Sequence, residues 1–186
     1  MTRIPPLHPP YEPADEQQLA SMMPPGVPPI GLFRTFIRNR TMTAAMGTWG
    51  RYELGPELSL TMREREIVID RTCARCRCEY EWGVHIAFFA ERVGFDAAQV
   101  TSLTHGSSRD ACWTEPRERI LIEIVDSLHD TSTIDDSLWD RFHEHLTEAE
   151  ALDVFMLTGW YHAISFTANA AAVEPETGAP RFADVA

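Results

Sequence analysis

Three short polar pairs do most to limit what this chain can fold into. Thr61 with Glu64, Asp96 with Gln99, and Thr147 with Glu150 each place a hydroxyl or carboxylate three residues ahead of a Glu or Gln. At that spacing the first side chain accepts the N3 backbone N–H and the second reaches back to the N-cap N–H, so two orphan donors of a helix start are satisfied together. Behind Thr61, Ile67, Val68 and Cys73 continue one buried face. Behind Thr147, Leu152, Phe155, Met156 and Trp160 do the same as far as Ala171. Between them, Ile120, Leu121, Ile124, Val125 and Leu128 line one side of a helix predicted from Glu115 to His129, with Pro116 tolerated in its first turn. There is no convincing period-2 alternation and no internal repeat. The expected fold is all-α, a helical bundle built as one domain.

The remaining boundaries follow from the same signals. Residues 1–29 hold nine of the thirteen prolines, which remove donors and fix φ, so they read as an extended arm able to wrap a neighbouring subunit. Helical pattern begins at Gly31, where Leu32, Phe33, Phe36 and Ile37 share a face, and a second helix is predicted over Thr43 to Tyr52. The Thr61 helix should end near Ala74 to Arg77. The next should run from Cys78 or Glu79 to Arg92, closed by Gly94 as a left-handed cap. A short helix opens at Asp96, Gly106 to Asp110 is a polar loop, another helix spans Asp135 to His145, and the tail from Glu174 is irregular. The domain reading is an arm at 1–30, a helical domain at 31–180 and a tail at 181–186.

Charge and composition exclude several functions. A net charge of −12 opposes a phosphate backbone, so nucleic acid is not an expected partner. All 16 basic residues are Arg, which excludes Schiff-base chemistry and a lysine base. No apolar run is long enough for a bilayer, and the opening MTRIPPLHPPYEP is not a signal peptide, so no membrane partner and a cytoplasmic location are expected. Four cysteines, three of them between Cys73 and Cys78, do not form a spread disulfide framework and read as reduced thiols.

The densest chemistry lies between Glu66 and His85. On one helix, Glu81 and His85 are i and i+4 and Cys78 is a further turn back, so thiol, carboxylate and imidazole share a face. A Cys in the first turn of a helix meets free N–H groups and the positive end of the dipole, which predicts a lowered thiol pKa. Cys78 is the candidate nucleophile.

The run from Leu58 to Gly94, with REREIVIDRTCARCRCEYEWGVH at its centre, resembles the core motif of the carboxymuconolactone decarboxylase family. The stretch ERILIEIVDSLHDTSTIDDSLWDRFHEHLTEAEALDVFMLTGWYHAIS is similar to the helices that follow it in the subgroup bearing an EYEW signature, and the resemblance covers about Gly31 to Pro180. It implies an oligomer-forming AhpD-like bundle, as a homodimer, trimer or hexamer. It also implies the alkylhydroperoxidase pattern of a Glu, a Cys-x-x-Cys pair and a following His. Position by position, Glu66 matches the Glu, Cys78 the first Cys and His85 the His. The second Cys falls on Glu81, so a resolving thiol must come from elsewhere, with Cys76 and Cys73 as candidates.

The implied activity is that of a peroxiredoxin-like or alkylhydroperoxidase-like oxidoreductase, with a hydroperoxide as substrate and a thiol reductant. The alternative is a cofactor-free decarboxylase, lyase or isomerase acting on a small carboxylic acid or lactone. Protons would then pass through Glu66, Glu81 and His85, and Arg65, Arg71, Arg75 or Arg77 would hold the carboxylate. A third reading is a non-catalytic binding or structural oligomer in which these groups satisfy one another. Trp82, Tyr161 and His162 are possible pocket residues, although Tyr80 and Trp82 also suit a core or subunit interface.

No cofactor is expected. Nor is a metal, because Cys73, Cys76, Cys78 and His85 would all lie across one helix junction rather than as two separated ligand pairs. Cys73 and Cys76 can equally be small buried apolar residues. Cys112 beside Trp113 reads as packing, and His129, His143 and His145 as exposed.

Overall fold

The computed structural model describes residues 2–185, with nine α-helices among them and a closing 3-10 turn. They are α1 (Pro13–Ser21), α2 (Gly31–Phe36), α3 (Arg40–Glu53), α4 (Met62–Arg75), α5 (Glu79–Phe89), α6 (Ala97–His105), α7 (Pro116–Thr131), α8 (Asp136–His143) and α9 (Glu148–Ala171). No strand occurs among the described residues. All three polar pairs form reciprocal capping boxes at the starts of α4, α6 and α9.

Helix α4 is the centre of the bundle, packed against α5, α6, α7 and α9. Its sequence, MREREIVIDRTCAR, is charged enough to pass for a surface helix, yet Glu64, Arg65, Glu66, Asp70 and Arg71 are all buried with Ile67, Val68 and Ile69. Burial of charge is tolerable only with partners; α7 supplies them for Glu64 and Arg71 and also for the half-buried Arg63 and Arg75, while Arg65 and Glu66 pair with each other. Arg63 meets Glu118, Arg71 meets Asp126 through two hydrogen bonds, and Arg75 meets Asp130. Each of these pairs is separated by 55 positions, so α4 and α7 run side by side in the same direction and in register. Around them the main apolar core gathers Trp82, Leu103, Trp113, Leu121, Ile124 and Phe142, each buried side chain contributing about 1.5–3 kcal/mol. A second, smaller apolar cluster joins Leu32, Phe36, Cys78, Tyr80, Ile164 and Ala168.

Four expectations are corrected. The proline-rich arm is not extended throughout: α1 forms because Pro13 sits in the first turn, where its missing N–H costs nothing, and the next proline is Pro24. Asp15 of that helix is buried against Arg40, and Leu7 N–H donates to the Arg34 carbonyl, so the arm lies along its own chain's α2 and α3. Helix α5 stops at Phe89 rather than Arg92, because Phe95 N–H turns back to the Ala90 carbonyl over Gly94, whose φ is +70°. The tail is not wholly irregular, since Phe182–Val185 forms a 3-10 turn that seats Phe182 on Trp82. His129 and His145 are half-buried rather than exposed, the first through its packing on α9. His143 is exposed, and Cys112 does pack on the main core beside the buried Trp113.

Candidate functional site

The side chains that face one another between α4, α5 and α9 are Glu66, Asp70, Glu81, His85 and Tyr161, all buried. Glu66 is on α4, and its Oε2 accepts from His85 Nδ1 at 2.7 Å. Its other oxygen accepts from Arg65 Nε at 2.7 Å, and the Arg65 guanidinium also lies over the Phe89 ring. On its far side the His85 ring meets the Tyr161 hydroxyl at 3.1 Å from Nε2, with Glu81 Oε1 3.7 Å from the same nitrogen. One imidazole is therefore held from both ends.

The charge on that imidazole follows from its neighbours. Burial disfavours imidazolium, but Glu66 and Glu81 outweigh it and raise the His85 pKa to about 10. As imidazolium, His85 donates from Nδ1 to Glu66 and from Nε2 to Tyr161. Asp70 lies one turn beyond Glu66 on α4 and has no partner for either carboxylate oxygen. Burial, followed by the nearby Glu66 charge, pushes its pKa well above the usual carboxylate range. One oxygen of Glu81 is also without a partner. The site thus combines a carboxyl group whose burial favours its protonated form, a cation on His85, and a Glu81 oxygen without a hydrogen-bond partner.

Cys78 is the N-cap of α5 and is fully buried in the second apolar cluster. Its surroundings reverse the lowered pKa expected from its position. Burial pushes the thiol up to about 11, with the Glu81 backbone N–H opposing that and the Glu81 carboxylate adding to it. Cys73 is buried on α4 and Cys76 is half-buried at the α4 C-terminus. The Ser165 hydroxyl of α9 donates toward Cys73 Sγ at 3.9 Å.

The other expected site residues are placed elsewhere. Trp82 points into the main core against Phe182, with its Nε1–H unpartnered. His162 faces His129 and Cys76, not His85. Of the four arginines considered for a carboxylate, Arg71 and Arg75 are paired to α7 carboxylates, Arg77 is exposed, and only Arg65 touches the cluster. The grouping of Cys73, Cys76, Cys78 and His85 does not assemble, since both His85 nitrogens are already bonded to Glu66 and Tyr161. A cleft of about 660 Å³ lies between the arm and α3, bordered by His8, Tyr11 and Arg40, and a second of about 620 Å³ lies beside α6. Neither touches the cluster. Asp70 was missed in sequence, although its position four residues after Glu66 on the same helix puts the two carboxyls on one face.

Compared by sequence, the chain matches no protein-family model and no curated protein. Solved structures do resemble it. An uncharacterized peroxidase-related protein with an alkylhydroperoxidase AhpD core from Ralstonia eutropha JMP134 aligns at TM-score 0.80 and 17% identity, over 94% of this chain and 93% of that one. A peroxidase-related protein from Silicibacter sp. TM1040 aligns at TM-score 0.77 and 18% identity, over 96% of each chain. The debrominase Bmp8 aligns at TM-score 0.81 and 13% identity, over 100% of this chain and 98% of that one. A cysteine-to-alanine variant of that debrominase, in complex with 2,3,4-tribromopyrrole, also aligns, at TM-score 0.76. The fold is AhpD-like and all-α.

Proposed function

We propose that this chain is a thiol-dependent oxidoreductase in which Cys78 attacks a small hydroperoxide and the buried acid–imidazole cluster moves the protons. The observation that carries this reading is the line of groups along α5. Cys78 stands at the N-cap of α5, one turn before Glu81, and the Glu81 carboxylate lies 3.7 Å from a His85 that Glu66 and Tyr161 hold in place. Glu81, standing where a second thiol is usual in the resemblance drawn from sequence, is suited to act as the base for a thiol that does not ionise by itself. His85, already protonated at neutral pH, is suited to act as the acid.

The cycle balances as follows. Glu81 takes the Cys78 proton, and the thiolate attacks the terminal peroxide oxygen. An S–O bond forms, the O–O bond breaks, and the leaving alkoxide takes a proton from His85 to become an alcohol. Cys76 or Cys73 then condenses with the Cys78 sulfenic acid, releasing water and forming a disulfide, which a small thiol reductant returns to dithiol. The closeness of Cys73, Cys76 and Cys78 in the chain at the α4–α5 junction supports this exchange. Further support comes from the fold likeness to peroxidase-related proteins and to a debrominase solved as a cysteine-to-alanine variant in complex with 2,3,4-tribromopyrrole.

One observation favours a second reading. A Cys78 thiol raised to about 11 is a poor resting nucleophile, whereas cationic His85 and the raised carboxyl of Asp70 are placed to hold and pass protons. A proton-transfer lyase or isomerase, with Arg65 beside the substrate carboxylate, would use those groups without the thiol. The deciding experiment is intact-mass spectrometry of the reduced protein after brief exposure to cumene hydroperoxide, beside Cys78→Ser. A Cys78-dependent gain of one oxygen, or loss of two hydrogens, is expected. No rapid change in the parent chain, or the same change in Cys78→Ser, refutes the thiol reading.

A further inference from the structure

On the face of α9 turned away from Tyr161, three soft donors from three different helices converge. His129 in the last turn of α7 places Nδ1 2.9 Å from His162 Nε2 and 3.9 Å from Cys76 Sγ. All three donor atoms lie within 4.8 Å of one another, and each residue is half-buried. We propose that Cys76, His129 and His162 form a binding site for a soft divalent transition-metal ion, zinc being the first candidate, with the fourth position open to water or a small exogenous ligand. The site shares Cys76 with the disulfide step of the hydroperoxide reading, for which Cys73 is the other candidate, and its test reads metal binding rather than turnover.

The donor chemistry and the distances agree. Imidazole nitrogen and thiolate sulfur are preferred zinc ligands, and two His with one Cys is a three-ligand set that leaves one position free. With Zn–N near 2.05 Å and Zn–S near 2.3 Å, a tetrahedral ion would set N···N at about 3.4 Å and N···S at about 3.6 Å. The two His129 separations, 2.9 Å to His162 Nε2 and 3.9 Å to Cys76 Sγ, differ from those by about half an ångström or less, and the third pair lies within 4.8 Å, a gap that side-chain rotation closes. Ion binding releases the Cys76 thiol proton and transfers no electron.

The surroundings also orient the donors. His162 Nδ1–H donates to the Thr158 carbonyl at 2.8 Å, which fixes the tautomer and leaves the Nε2 lone pair facing the other two groups. Asn169 on α9 donates to the Cys76 carbonyl at 3.0 Å, tying the end of α4 to the helix that carries His162. The frame consists of α4, α7 and α9, which pack directly on one another, so the three donors need no loop to close. Without an ion, a single hydrogen bond from His129 Nδ1–H to His162 Nε2 accounts for two of the three groups and leaves the thiol as a bystander. That is the alternative the experiment must separate.

The test is titration of the reduced, chelator-treated full chain with Co²⁺ alone, followed by displacement with Zn²⁺. The expected result is saturation at one ion per chain, with the visible bands of tetrahedral cobalt and a thiolate-to-cobalt charge-transfer band that Zn²⁺ abolishes. Cys76→Ser should remove the charge-transfer band, and His162→Ala should weaken binding beyond the ~10–100-fold that loss of an outer partner costs. Cys112→Ser should change nothing. In the parent chain, Zn²⁺ should slow alkylation of Cys76 and not of Cys112, a readout that needs no variant to fold. Absence of tetrahedral cobalt bands, or alkylation of Cys76 at the same rate with and without Zn²⁺, overturns the proposal.

Discussion

Replacing Glu66 with Gln isolates what the buried carboxylate does for the cluster. The amide keeps the size of the side chain and can still accept a hydrogen bond, so the change is one of charge. In the parent chain Glu66 balances both Arg65 and His85, and neither cation has water to turn to, all three being buried. Removing one partner from such a group costs about 3–5 kcal/mol, which for a chain of this length lowers Tm by about 6–20 °C. The pH dependence carries the sharper information. His85 is raised by the fold from its ordinary 6.5 to about 10. Its stabilisation is therefore complete below about pH 6.5 and disappears as pH rises through about 10, with a slope of up to about 1.4 kcal/mol per pH unit. Because the Glu66 charge is a large part of that rise, the gap between parent and Glu66→Gln should be widest near pH 6 and narrow toward pH 10, leaving what Arg65 loses. Urea denaturation at a series of pH values measures both curves. A gap below about 1 kcal/mol at pH 6, or one that stays constant to pH 10, would show that the Glu66–His85 pair is not the charged bond described here.

Asp70→Asn should stabilise the protein at neutral pH. Asp70 is raised well above its ordinary value, so its burial costs stability once pH exceeds 3.8, and that cost falls away as pH approaches 3.8. Thermal melts should show a higher Tm for the variant near pH 7 and little difference near pH 4; equal melting at pH 7 would mean that Asp70 is ionised. If the proton on Asp70 also takes part in turnover, the same variant should lose activity while gaining stability. Gly83→Ala should loosen the tail, because a Cβ there would stand 2.7 Å from the Pro180 carbonyl oxygen. Overpacking of that kind costs about 1–3 kcal/mol, and faster proteolysis or hydrogen exchange at residues 179–185 is the readout, with unchanged exchange counting against the contact.

The debrominase and peroxidase likenesses rest on backbone shape at 13–18% identity, and so bear on the fold more than on the reaction. What separates thiol from proton-transfer chemistry is local. A base beside Cys78 is useful only if the thiol must be deprotonated on demand, and the burial of Cys78 makes that so. The same burial means that a substrate would reach the sulfur only when side chains of the second apolar cluster move aside.

The chain alone determined most of its helices and the face on which Glu81 and His85 meet, because capping boxes, turn glycines and a 3.6-residue repeat are local and need no partner. Its resemblance to a known pattern pointed to Glu66, Cys78 and His85 together. Three things waited for the tertiary structure. Whether Cys78 is a thiolate depends on how much apolar surface closes over it, which helix position does not reveal. Arg71 of α4 is interior because α7 lies beside it, with a carboxylate 55 positions away for each of Arg63, Arg71 and Arg75. Cys76, His129 and His162 are far apart in the chain, and only the crossing of α4, α7 and α9 makes them neighbours. Local patterns set where helices begin and end, whereas solvation and long-range pairing, which decide protonation and ligand geometry, are properties of the packed whole.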